Sequence, residues 1–181
     1  MKVIMLLANG FEESEAIVPA DILMRAGAEL CLVSVEDGLT VEGTHGIKIG
    51  AHCHISEISG DDMDALVLPG GMPGAQSLAD SFLVKELIQK AVDRGIYVAA
   101  ICAAPFVLGQ MGLLDGRNIA CYPGFEKYMP EANLTGEKVE VDDIFITAQG
   151  MGVALEFGLK IAEMLVGAEV ADKIAEQIRK A

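Results

Sequence analysis

Short, continuous apolar runs alternate along the chain with segments in which apolar residues return at helical spacing. Lys2–Leu7 is the first such run, a buried-strand pattern that closes at the turn pair Asn9-Gly10. Glu13–Ala26 has helical character and stops at Gly27, a residue suited to the left-handed position just past a helix end. Pro19 lies inside it, which predicts either a late start or a kink. Leu30–Val35 is a second strand ahead of the Asp37-Gly38 turn, and Thr40–Ile49 reads as two short antiparallel pieces around a glycine-rich corner. Asp64–Leu68 is a third buried strand and runs into Pro69-Gly70-Gly71. Phe82–Arg94 sets Leu83, Leu87, Ile88 and Val92 on one helical face, with Gly95 as its cap. Tyr97–Ile101 is a fourth strand that ends directly at Cys102. Pro105–Met111 is predicted as a helix and Asn118–Cys121 as a strand. Val139–Val141 and Ile144–Thr147 form a hairpin around Asp142-Asp143, and Val153–Val166 and Val170–Lys180 are two final helices.

Strands that are apolar throughout need cover on both faces, and strands alternating with helices favour parallel pairing. The expectation is therefore one α/β domain over residues 1–181, a mostly parallel sheet with helices on both faces and no linker or repeat. In such sheets ligands bind outside the carboxyl ends of the strands. Three segments with suggestive chemistry end there: Asn9–Glu15, Pro69–Gly74 and Cys102–Pro105.

Composition narrows the classes. The 181 residues are 52% hydrophobic and 22% charged, which argues against disorder, and the formal charge of −14 leaves no basic surface for nucleic acid. The apolar run Val3–Ala8 behind Lys2 is too short for a secretory signal, and no apolar stretch is long enough to span a membrane. Cys31, Cys53, Cys102 and Cys121 are well separated and form no CxxC pair, so neither a zinc knuckle nor a disulfide scaffold is indicated. The expectation is a cytoplasmic protein in a reducing compartment.

Cys102 is the strongest chemical signal. It stands between a buried strand and a helix start, followed by the small residues Ala103 and Ala104, as a nucleophile elbow requires. The helix N-terminus would then favour a thiolate; the alternative is an apolar cysteine buried at a strand end. Gly70-Gly71 after a strand lets backbone N–H groups approach a developing oxyanion, although an isolated pair of this kind is more often a plain turn. Glu12, Glu13 and Glu15 open a helix beside these segments. A carboxylate next to a thiolate repels it, so one of the two should hold a proton, and a protonated Glu15 could bond the sulfur and carry that proton. The spacing alone does not choose among the three acids. His52 and His54 would share one face of an extended segment, a possible ligand pair, with a partly exposed strand or loop as the plainer reading.

The stretches ANGFEESEAIVPADILMRAG, LVLPGGMPGAQSL, AAICAAPFVLGQMGLL and TAQGMGVALEFGLKIAEML, in this order, closely resemble the ThiJ/PfpI superfamily, and within it the parkinsonism-associated deglycase branch, DJ-one. The resemblance covers essentially the whole chain. It implies a flavodoxin-like α/β sandwich, related to the class I glutamine amidotransferases, and a homodimer. By motif the family's readily oxidised cysteine falls on Cys102, its partner glutamate on Glu15 and its oxyanion amides on Gly71 and Ala103, with Gly70 beside them. Arg25 and His45 match positions near the dimer interface of relatives, where an anion could lie. The pattern also departs from the family. Tyr122 stands where many members have a histidine, Ala103 where a protease-like branch has one, and Met151 replaces a loop proline. A Cys–His hydrolase would thus lack its base. The resemblance implies a cofactor-free, metal-free stress-response enzyme acting on reactive dicarbonyls or glycated groups, of the glyoxalase III or deglycase type, turning methylglyoxal into lactate. The alternative is a redox-sensing stress protein or chaperone that uses oxidation of Cys102. Neither membrane nor nucleic acid is an expected partner.

Overall fold

The computed structural model describes residues 1–180. In chain order the elements begin with β1 (Lys2–Leu7), α1 (Glu13–Arg25), β2 (Glu29–Ser34), β3 (Thr40–Glu42), β4 (Lys48–Gly50), β5 (Cys53–His54) and β6 (Ala65–Leu68). There follow α2 (Gly74–Asp80), α3 (Phe82–Asp93), β7 (Tyr97–Ile101), α4 (Pro105–Gln110), β8 (Asn118–Ile119) and β9 (Asn133–Leu134). The chain ends with β10 (Val139–Asp142), β11 (Phe145–Ala148), α5 (Ala154–Val166) and α6 (Ala168–Gln177).

Seven strands make one sheet in the order β10-β11-β7-β6-β1-β2-β5. All neighbours are parallel except β10 and β11, which pair antiparallel around Asp143, a residue held at φ 58°. The uninterrupted apolar character of the inner strands has its cause in two cores. Val3, Met5 and Leu7 point into one with Leu23, Ala99, Ile101 and Phe157, under α1 and α5. Ile4 and Leu6 point into the other with Leu66, Ile88, Ala100 and Phe106, under α2, α3 and α4. The residue pattern predicts these helix, sheet and helix layers, and the resemblance implies their flavodoxin-like arrangement. No helix among the described residues is long and apolar enough to cross a membrane.

The differences from expectation are local. α1 runs unbroken from Glu13, with no late start, although Pro19 offers no N–H to the Glu15 carbonyl one turn back. β8 stops at Ile119 rather than Cys121 because the Ala120 N–H donates to Thr147 Oγ1 at 2.9 Å instead of to a strand. α2 begins on glycine just past a proline and was not foreseen; β5 and β9 are two residues each, too short to carry a period.

Gly158 sets the spacing of α1 on α5. A Cβ there would come within 2.9 Å of Pro19 Cα and 3.2 Å of Ile22 Cβ. Overpacking of this kind costs about 1–3 kcal/mol, whereas alanine is better than glycine in a helix by about 1 kcal/mol. Gly158→Ala is expected to lower stability by about 1 kcal/mol net in a urea titration. A stabilised variant would mean that the helices separate freely.

Candidate active site

The carboxyl ends of β1, β6 and β7 deliver three short segments to one edge of the sheet. The sharpest turn is at Cys102, which sits at φ 65°, a left-handed conformation that costs a non-glycine residue about 1–3 kcal/mol. Two backbone bonds hold it there: its N–H donates to the Ala148 carbonyl and its carbonyl accepts from the Tyr122 N–H, each at 2.9 Å. Ala103 and Ala104 behind it are fully enclosed by the core, so larger side chains would not fit under the elbow. The thiol is thereby raised above the sheet, half-buried.

Of the three acids, Glu15 alone faces this thiol. It is 1% exposed; its Oε2 accepts the Gly70 N–H at 3.0 Å, while Oε1 is buried without a conventional partner. The Cys102 thiol and the Met151 N–H act on the same carboxyl. Gly70 is what lets the pair meet, since a Cβ at that position would lie 2.5 Å from Glu15 Oε2 and 2.7 Å from Cys102 Cβ. Gly71, at φ 88°, has no room for a side chain against the backbone of Gly10–Glu12. Its N–H and that of Ala103 are directed at Cys102.

Charge at the pair follows the expected repulsion between carboxylate and thiolate rather than the helix N-terminus. Burial pushes Cys102 up to about 12, the Glu15 charge and its hydrogen bond push the same way, and the Ala103 and Gly71 amides pull back only in part. Burial likewise pushes Glu15 up to about 7. Between those two values the pair holds a single proton, and the sulfur is a thiolate only while that proton is on Glu15. The short α4 begins three residues beyond Cys102.

Glu12 and Glu13 do other work. Glu13 is 6% exposed and accepts the His45 N–H and the His45 ring, each at 2.8 Å, and the Ile47 N–H at 3.4 Å. Burial opposes its charge, but these bonds outweigh it and hold the carboxyl down at about 2. His45 is raised in turn by Glu13 and is largely exposed. Glu12, Glu13 and His45 each offer a ligand atom within 4.8 Å of the others, but every Glu13 oxygen is already satisfied inside the protein. Arg25 pairs with Asp21 at 2.7 Å, about 15 Å along α1 from Glu15 at 1.5 Å per residue, so within this chain it does not reach the thiol. His52 Nδ1 accepts the Leu32 N–H and His54 Nδ1 bonds Ser56 Oγ, leaving no histidine beside Cys102. Cys121 is buried in the core on the opposite face of the sheet from the one Cys102 packs against, and burial pushes it up to about 11.

Tyr122 is half-exposed, and Gly150 fits between its ring and the reactive pair. A Cβ on Gly150 would lie 3.3 Å from Tyr122 Cδ2, 3.7 Å from Cys102 Sγ and 3.8 Å from Glu15 Oε1. Without that methyl, the space between the Tyr122 ring and the Cys102–Glu15 pair stays open. A shallow cleft of about 340 Å³ lined by Tyr122, Pro123, Gln149, Gly150 and Met151 opens beside it. No role was foreseen for Gly150; the signal was its place in the Gly150-Met151-Gly152 loop.

Comparison with known proteins agrees with the family resemblance and with the fold. The model of the DJ-1/PfpI family matches residues 1–164. The chain is 37% identical over 176 residues to Protein DJ-1 homolog B of Arabidopsis thaliana, covering 96% of this chain and 40% of that longer protein. It is 31% identical to the Glutathione-independent glyoxalase DJR-1.2 of Caenorhabditis elegans, covering 97% and 94% of the two. The solved structure of oxidized Toxoplasma gondii DJ-1 superposes with a TM-score of 0.94 at 37% identity, over 99% of this chain and 98% of that one.

Proposed function

The chain belongs to the DJ-1/PfpI family, and from that footing we propose that it is a cofactor-independent, cysteine-dependent enzyme of reactive dicarbonyls, converting methylglyoxal to lactate. One arrangement carries the reading: a buried carboxyl faces a thiol at the mouth of the sheet, with two backbone amides directed at the sulfur and no histidine beside them. A glyoxalase name on a relative of 31% identity points to the same chemistry.

The steps follow from the groups present. Glu15 takes the Cys102 proton as Sγ bonds to the aldehyde carbon, and the Gly71 and Ala103 N–H groups hold the oxygen while it carries negative charge. Glu15 returns the proton to that oxygen, giving a hemithioacetal. It then removes the C–H proton from the first carbon and delivers it to the second through an enediol, which leaves a thioester of the 2-hydroxy acid. Water cleaves the thioester, releasing lactate and the thiol. A carboxyl at about 7 is suited to both taking and giving this proton near neutrality. Glycated groups enter the same route once they release the free dicarbonyl.

The test is direct. Purified chain with methylglyoxal and no added thiol is expected to release lactate in amounts far exceeding the protein. Loss of methylglyoxal with only a stable adduct on the chain would overturn the proposal.

A second reading rests on the same amides. Two equivalents of peroxide would oxidise Cys102 to a sulfinate, whose oxygens the Gly71 and Ala103 N–H groups are placed to bond; the Toxoplasma relative was solved in an oxidized form. We further take the chain to be a cytoplasmic homodimer that joins through α1, where Ile17 and Met24 are exposed.

A further inference from the structure

Cys31 on β2 and Cys53 on β5 bring their sulfurs to 3.6 Å of one another at the outer edge of the sheet. Both thiols are free and half-buried. They pack against the core that contains Ile55 and Met63, on the face opposite to the one Cys102 packs against, and the dicarbonyl chemistry uses neither.

The strand register decides what such a pair suits. Val33 is opposite Cys53, so Cys31 stands two residues back on the neighbouring strand. Diagonal partners of this kind are about 7–8 Å apart at Cα, beyond the roughly 5.5–6 Å of an unstrained disulfide. The sulfurs nevertheless lean together into contact, close enough for one ion to bridge them from the side. A cation with bonds of about 2.3 Å to each sulfur would span 3.6 Å at an angle of about 100°, and wider angles need only small rotations of the thiols.

The donor set selects the ion. His52 and His54 flank Cys53, but alternation along the strand turns them to the other face, and their Nδ1 atoms bond Leu32 N–H and Ser56 Oγ. What remains is two soft sulfurs. Zinc in a protein site takes three or four protein ligands, whereas a soft monovalent ion is satisfied by two thiolates. We propose that Cys31 and Cys53 form a two-thiolate site for a soft monovalent cation with a filled d shell, of the copper(I) class. On binding, each thiol releases its proton to solvent as its sulfur bonds to the ion, so that two protons leave, one cation enters and the complex carries one net negative charge. Lys2, which acts electrostatically on Cys31, favours that charge, while Glu29 opposes it.

The experiment is a copper(I) titration without oxygen, against a chromogenic copper(I) chelator, on reduced Cys102→Ser protein so that the elbow thiol does not compete. One copper per chain is expected, and adding Cys31→Ser or Cys53→Ser should each weaken it at least 100-fold. Circular dichroism checks the fold of each variant. If Cys31→Ser melts early, Cys53→Ala on the two-residue edge strand serves instead. Binding unchanged after both cysteines are replaced, one copper shared by two chains, or no copper held against the chelator would each overturn the site. Lactate formation does not enter these readouts, so the outcome is independent of the proposed enzyme activity.

Discussion

Cys102→Ser is expected to reduce lactate formation from methylglyoxal by at least about 10³-fold, a loss of about 4 kcal/mol of transition-state stabilisation. The substitution keeps the elbow: the N–H and carbonyl of residue 102 still bond Ala148 and Tyr122, and the left-handed φ is backbone strain that serine inherits. What changes is the acidity of the attacking group. A carboxyl at about 7 has a workable equilibrium with a thiol whose pKa it shares control of, but not with an alcohol whose proton is several powers of ten harder to remove. The thermal midpoint should therefore stay within a few degrees of the parent while activity disappears. Lactate release above about a tenth of the parent rate would place the nucleophile elsewhere and sink the mechanism.

That result would rest on a residue whose position is legible in the chain itself. A buried strand, a cysteine and small residues ahead of Pro105 specify an elbow through local sterics, and local sterics are what a sequence encodes most openly. The layered sheet was legible for a similar reason: Lys2–Leu7 and Tyr97–Ile101 have no polar face, which demands helices on both sides. Glu15 was only one of three candidates, because its selection depends on which face of α1 turns toward Gly70, a matter of tertiary packing. That a carboxyl beside a thiol keeps one proton was legible from the residue types, whereas the upward push of burial on Cys102 was not, because a sequence does not display desolvation. The contact of Cys31 with Cys53 was invisible, since it follows from the register of a two-residue edge strand joined by hydrogen bonds rather than by pattern. The role of Gly150 could be seen only as space, once the atoms around it were placed.

Glu15→Gln is expected to move three observables in different directions, which separates proton transfer from mere positioning. Turnover of methylglyoxal should fall about 10²–10⁴-fold, the usual worth of a placed acid–base group. Alkylation of Cys102 at pH 9 should instead become faster, because the negative charge that helps push the thiol to about 12 is gone. A residue that only shaped the pocket would not lower turnover while raising thiol reactivity. Stability should rise, and its pH dependence fixes the cause. Folding raises the Glu15 pKa from an ordinary 4.5 to about 7, so below pH 4.5 the group is protonated in both states and burial costs little. As pH rises toward 7 the unfolded chain ionises freely while the folded one resists, and the parent loses about 3 kcal/mol across that window. Glutamine still accepts the Gly70 N–H and never ionises. It should therefore be more stable than the parent by about that amount at pH 8 and nearly equal to it at pH 4, read from urea denaturation at the two values. Equal stabilisation at both would mean that a contact of the amide, rather than relief of a buried charge, is responsible.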